Sequence, residues 1–142
     1  MVKDSSEDRK IILVADDDVD DCLLIKDALI DNGLNWETRF VGDGIELMEY
    51  LENCERLERQ GDACFPDLIV LDLNMPRKGG REALREISAH SRLNKIPTVI
   101  LTTSDEPQDV ALCSSLGAKL FITKPNMYTE WLEKVEALKE LI

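Results

Sequence analysis

Four short stretches of the sequence hold side chains that could do chemistry together: Asp16-Asp17-Asp18, Asp72-Leu73-Asn74, Thr102-Thr103-Ser104 and Thr123-Lys124-Pro125. Taken singly, each has an ordinary explanation, because aspartates favour turns and helix caps while a lone threonine or Lys-Pro is common in packing and loops. Taken together they describe a reaction. Crowded carboxylates repel, and their protonated forms gain ground unless a cation intervenes. The negative charges of Asp16, Asp17 and Asp72 are balanced by Mg2+ together with the Lys124 ammonium, and all-oxygen ligation is what Mg2+ prefers. A metal-bound carboxylate beside an ammonium and a hydroxyl is suited to accepting a phosphoryl group. The carboxylate attacks as nucleophile, and the cations neutralise charge spreading over the transferred oxygens. Asp72, alone after its apolar run, is the expected nucleophile. Asp16 and Asp17 are the expected metal ligands, and Lys124 and Thr102 the expected partners of the phosphoryl oxygens.

Such chemistry requires elements that carry the four stretches to one place. Ile11-Ile12-Leu13-Val14-Ala15 is a short apolar run with β-branched residues, suited to a strand buried on both faces. Further strands are predicted at Thr38 to Val41, Leu68 to Leu71, Thr98 to Leu101 and Leu120 to Ile122. Between and after them, apolar residues recur at helical spacing. Leu23, Leu24, Ala28 and Leu29 lead to a stop at Asn32-Gly33, and Ile45, Leu47, Met48 and Leu51 begin a helix running to about Arg59. Ala83, Leu84 and Ile87 mark the third helix, Val110, Leu112 and Leu116 the fourth, and the last runs from about Tyr128 to Leu141. Five strands alternating with five helices predict an α/β fold, a doubly wound parallel sheet with helices on both faces. Right-handed crossovers put every strand's C-terminal end on one edge, where open α/β sheets bind ligands. All four chemical stretches follow strands, so all four fall on that edge.

A chain of 142 residues, 44% hydrophobic and 32% charged, suits one globular domain. The formal net charge is −12 and the pI near 4.5. A field of that sign repels nucleic-acid phosphates and anionic lipid heads, so neither nucleic acid nor a membrane is an expected partner. No apolar stretch approaches the ~20 residues that span a bilayer, and the polar N-terminus argues against a secretory signal. The expected location is the cytoplasm. Residues 1–10 are expected to be a polar lead-in and 11–142 a single domain, with no residues left for an output domain. Cys22, Cys54, Cys64 and Cys113 show no CxxC pair and no zinc-ligand spacing. Cys22 and Cys113 lie in apolar-periodic stretches and are expected as buried thiols. His90, the sole histidine, falls in a polar run expected to be a solvated helix end.

The sequence resembles a receiver domain of two-component response regulators over roughly residues 10–142. The resemblance rests on Ile12-Leu13-Val14-Ala15-Asp16-Asp17-Asp18, on Pro66-Asp67-Leu68-Ile69-Val70-Leu71-Asp72-Leu73-Asn74-Met75-Pro76, and on Pro97-Thr98-Val99-Ile100-Leu101-Thr102. Gly117-Ala118 and Phe121-Ile122-Thr123-Lys124-Pro125 complete it, and Lys124 follows Thr102 by 22 positions, an interval that suits the family. The resemblance implies a flavodoxin-like five-stranded sheet of order 2-1-3-4-5. It also implies that Asp72 is phosphorylated by a sensor histidine kinase, with Asp16, Asp17 and the Asn74 backbone carbonyl around Mg2+. It makes Thr102 the switch hydroxyl and Phe121 either an aromatic that turns inward on activation or plain core filling. Asn74 and Ser104 are implied to tune dephosphorylation, Thr103 stands where the family keeps a small residue, and a cis bond before Pro125 is implied to orient Lys124.

Two features depart from the compact chemotaxis type: the turn Pro76-Arg77-Lys78-Gly79-Gly80 and the longer segment from Glu52 to Phe65. With Arg81-Glu82-Ala83-Leu84, they resemble the stand-alone regulators partnered with bacterial phytochromes. The resulting expectation is a phospho-switch that catalyses its own phosphorylation and slow hydrolysis. Its signal leaves through the fourth helix, fifth strand and fifth helix, a face compatible with a homodimer. An aspartyl phosphatase would need an acid where Asn74 stands, and a flavodoxin-like electron carrier would need a phosphate loop after the first strand. A pseudo-receiver that only docks a partner is the remaining alternative.

Overall fold

The computed structural model describes residues 9–62 and 64–142. Residues 1–8 of the expected lead-in lie outside that range. Five strands, β1 (Ile11–Ala15), β2 (Glu37–Val41), β3 (Leu68–Leu71), β4 (Thr98–Thr102) and β5 (Leu120–Thr123), alternate with five helices. The helices are α1 (Val19–Asp31), α2 (Gly44–Arg59), α3 (Gly80–Ala89), α4 (Pro107–Ser115) and α5 (Tyr128–Ala137). All strand pairs are parallel, in the order β2-β1-β3-β4-β5.

Strand alternation divides the core into two layers. Leu13, Ala15, Ile69, Leu71 and Ile100 face α2, α3 and α4, where they meet Leu47, Leu51, Ala83, Leu84 and Cys113. Ile12, Val14, Leu68, Val70, Val99 and Leu101 face α1 and α5, where they meet Ile25, Ala28, Trp131 and Val135. This double burial explains why β1 and β3 are continuous apolar runs and why β4 is apolar throughout between its terminal threonines.

Four boundaries differ from the sequence expectation. β2 begins one residue earlier because Glu37 N–H donates to the Lys10 carbonyl, and β4 and β5 each run one threonine further, closing on the Thr102–Thr123 pair. The last helix is α-helical only to Ala137 and tightens into a 3₁₀ turn over Leu138–Leu141. A second 3₁₀ turn, Leu93–Lys95, was not foreseen. It is nucleated by His90, whose Nδ1 accepts from the N–H groups of Arg92 and Leu93 while Nε2 lies 3.0 Å from Glu55. Arg9 is tied down as well, donating to the carbonyls of Asn35 and Trp36.

The loop from β3 to α3 is shaped by close backbone packing. A Cβ at Gly80 would sit 2.1 Å from the Asp72 carbonyl oxygen, so only glycine lets α3 start there. Arg77 occupies the left-handed region (φ 62°), a conformation that costs a non-glycine residue about 1–2 kcal/mol. Its Nε donates to Asp43 Oδ2 at 2.7 Å, and Asp43 in turn caps α2 by accepting from Glu46 N–H.

Candidate functional site at the C-terminal edge of the sheet

The backbone ladder continues one step past two strands. Asp16 N–H donates to the Val41 carbonyl and Asp72 N–H to the Ala15 carbonyl, so both carboxylates project from fixed main chain. Each is then oriented by a tight turn: Asp16 Oδ1 accepts from Asp18 N–H at 2.9 Å and Asp72 Oδ1 from Asn74 N–H at 3.1 Å. The other oxygen of each faces Lys124, whose Nζ lies 2.9 Å from Asp16 Oδ2 and 3.1 Å from Asp72 Oδ2. Lys124 is held from behind, its N–H donating to the Thr102 carbonyl at 2.7 Å. Asp16, Asp17 and Asp72 each bring a carboxylate oxygen within 4.8 Å of the others. Asp16 and Asp72 are buried and Asp17 is exposed, so the cluster opens to solvent on one side.

The electrostatics match that geometry. Burial pushes the Asp16 carboxyl up to about 6, against the opposing pull of the Asp18 N–H and Lys124. Burial alone would lower the Lys124 ammonium, but its bonds to Asp21 and Asp16 and the nearby carboxylate charges outweigh that and hold it well above the ordinary lysine range. One ammonium therefore does not fully offset the acidic cluster. Three hard oxygen donors with charge still to be balanced are a fitting donor set for a divalent cation.

Thr102, at the end of β4, is fully buried, and its Oγ1 has no hydrogen-bond partner. Its side chain shares a sheet face with Ile100 and Phe121, which are paired in register, and Phe121 is half-buried against the α2–α3–α4 core layer. Thr103 is exposed. Ser104 turns its hydroxyl onto Asp109 Oδ2 at 2.7 Å. The bond between Lys124 and Pro125 is trans, contrary to the cis bond that the resemblance implied. The ammonium is aimed instead by the carboxylates around it, and cis and trans X-Pro differ by only about 0.5–1 kcal/mol.

One member of the cluster was missed. Asp21, in the first turn of α1 and outside the four chemical stretches, places its Oδ2 2.6 Å from Lys124 Nζ. The available signal was helical phase: Asp18 is the N-cap of α1 and accepts from the N–H groups of Asp20 and Asp21, which puts Asp21 one turn in, facing back to the strand end. Cys22, half-buried, packs behind the cluster with Sγ 3.6 Å from the Asp16 carbonyl. Burial and the charges of Asp16 and Asp21 push its thiol up to about 11, so it stays protonated. A groove of about 390 Å³ opens beside Asp16 and Asp17, with Val19, Leu23 and Phe40 exposed along it.

The sequence pattern of the response regulator receiver domain matches residues 12–136. This chain belongs to that family. The receiver is 32% identical over 138 residues to the response regulator Rcp1 of Synechocystis sp., covering 97% of this chain and 92% of Rcp1. The Mn2+-bound crystal structure of Rcp1 matches it with a TM-score of 0.80 over 92% of both chains. The phosphorylated cyanobacterial phytochrome response regulator RcpA is 34% identical, with a TM-score of 0.78 over 93% of this chain and 92% of RcpA. RPA3017, a response regulator in red light signaling of R. palustris, is 27% identical with a TM-score of 0.81, covering 94% and 93% of the two chains. The receiver is thus a response regulator of two-component signalling, a switch phosphorylated on an aspartate. The docking-only alternative is not favoured, since the acidic and lysine positions are all filled and drawn together. No described helix is long and apolar enough to cross a membrane.

Proposed function

We propose that Asp72 is the phosphoryl acceptor of this receiver, with Mg2+ held by Asp16, Asp17, Asp72 and the Asn74 backbone carbonyl. The donor we propose is the phosphohistidine of a phytochrome-type sensor kinase. A carboxylate oxygen of Asp72 attacks phosphorus, the P–N bond to the kinase imidazole breaks, and that imidazole leaves with a proton. When bound, Mg2+ supplies positive charge where the transferred oxygens accumulate negative charge. Lys124, already 3.1 Å from Asp72, contributes its ammonium on the other side. Thr102 donates its unpartnered hydroxyl to a phosphoryl oxygen, and Asn74 and Ser104 flank the group and set how fast water removes it. The same residues suffice for self-catalysed uptake from a small donor and for slow hydrolysis.

The observation that carries this reading is the meeting of Asp72 with two further carboxylates and one buried ammonium at a sheet edge. Relatives named for phytochrome and red-light signalling support the choice of kinase. The exposed Val19 and Leu23 beside the acidic cluster offer apolar contact to a kinase helix. Phosphohistidine is made from ATP, an intracellular nucleotide, which puts the encounter in the cytoplasm. The response then leaves through α4, β5 and α5, where Thr102 and Phe121 bias packing and where a homodimer would form.

Incubation with acetyl phosphate and Mg2+, followed by mass analysis, tests the acceptor. The wild type gains one phosphoryl group and Asp72→Asn gains none. An unmodified wild type, or equal labelling of the variant, discards the assignment.

A further inference from the structure

We propose that Arg81 and Asp109 form a latch holding the β4–α4 loop in its resting position, and so act as positioning residues for phosphoryl uptake. The inference rests on Asp72 being the acceptor. Asp109, in the first turn of α4, is buried, and its carboxylate is met from α3 and from the loop that precedes α4. The Arg81 guanidinium of α3 forks onto it, Nε to Oδ1 at 2.8 Å and Nη2 to Oδ2 at 2.7 Å. Ser104 adds its hydroxyl to Oδ2 at 2.7 Å. A forked guanidinium–carboxylate pair is both strong and orientationally rigid, and here it pins the loop that begins right after Thr102.

Both ends of the latch reach the site. Arg81 follows Gly80, whose N–H donates to the Leu73 carbonyl and whose Cα lies against the backbone of Asp72. Ser104 lies two residues beyond Thr102, whose hydroxyl is buried without a partner while the latch is closed. A buried unpaired hydroxyl is unfavourable, and a phosphoryl oxygen would satisfy it. Moving Thr102 toward such an oxygen drags residues 103–106 with it, against the Ser104–Asp109 bond. The closed latch thus opposes uptake, and opening it favours the phosphoryl-bound arrangement.

Beryllofluoride, a phosphoryl mimic, is titrated with Mg2+ into isotope-labelled wild type, Arg81→Ala, Arg81→Lys and Ser104→Ala, followed by NMR. Arg81→Ala and Ser104→Ala should bind beryllofluoride roughly five- to tenfold more tightly. Arg81→Lys should fall between, because an ammonium cannot fork. Mg2+ affinity measured alone should be unchanged in Arg81→Ala, whereas a general loosening of the fold would weaken both ligands. Ser104→Ala deletes one hydroxyl and keeps the test open if Arg81→Ala fails to fold. Equal or weaker beryllofluoride binding by the variants overturns the latch and leaves the acceptor standing. No binding by the wild type overturns both.

Discussion

Lys124 meets Asp16, Asp21 and Asp72 at 2.6–3.1 Å with its side chain 8% exposed, so a single ammonium holds the acidic cluster together. Replacing it by alanine leaves buried carboxylates facing one another. We expect Lys124→Ala to fold, to lose about 1.5–3 kcal/mol of stability in the absence of divalent cation, and to gain more from added Mg2+ than the wild type does. Denaturant titration with and without Mg2+ measures both effects. The variant should still accept a phosphoryl group on Asp72 but lose the downstream response, and unchanged partner binding after its phosphorylation would refute the role given to Lys124. Residue chemistry of this kind was legible early. An aspartate, a threonine or a lysine right after a buried strand has one place to go once the strands are parallel. Asp21 was not legible in the same way, because its role depends on which side of α1 faces the strand ends, and a run of aspartates at a helix start is equally explained by capping.

Between elements, the tie from α3 to α4 carries a pH signature. The Asp109 carboxyl is lowered from the ordinary 3.8 to about 2, chiefly by the hydrogen bond from Arg81, then by that from Ser104. A depressed folded-state value adds stability that is fully present above about pH 4 and is lost as pH falls toward 2. The stability difference between wild type and Asp109→Asn should therefore be constant from pH 5 to 7 and shrink steadily below pH 4, as read by thermal melts across that range. A difference independent of pH would show that Asp109 acts through packing alone. The elements themselves were largely readable, since continuous apolar runs and helical spacing gave all five strands and five helices within a residue or two at most ends. What joins them was not. Arg81 and Asp109 are 28 residues apart and Arg77 and Asp43 are 34 apart, and no local pattern says which guanidinium finds which carboxylate. The 3₁₀ turn after α3 leaves no mark in the apolar pattern, because it depends on the His90 ring accepting two backbone N–H groups.

For the molecule as a whole, a net charge of −12 means that folding compresses mutually repelling groups. Raising NaCl from about 0.01 to 0.15 M shortens the screening length from about 30 to 8 Å. The melting temperature should rise by roughly 2–5 °C, corresponding to about 1 kcal/mol. Mg2+ at matched ionic strength should raise it further in the wild type, and that extra increment should disappear in Asp16→Asn/Asp17→Asn; an increment that survives would mean that Mg2+ acts only by screening. Finally, the first residue of α3 has no side chain because the carbonyl behind Asp72 leaves no room for one. Asp72 is therefore braced from the rear by main chain, which cannot rotate aside as a flexible side chain could. When a bulky anion arrives on its carboxylate, recoil in that direction is blocked, and the accommodation must be made in front, by the segments that follow the first and fourth strands.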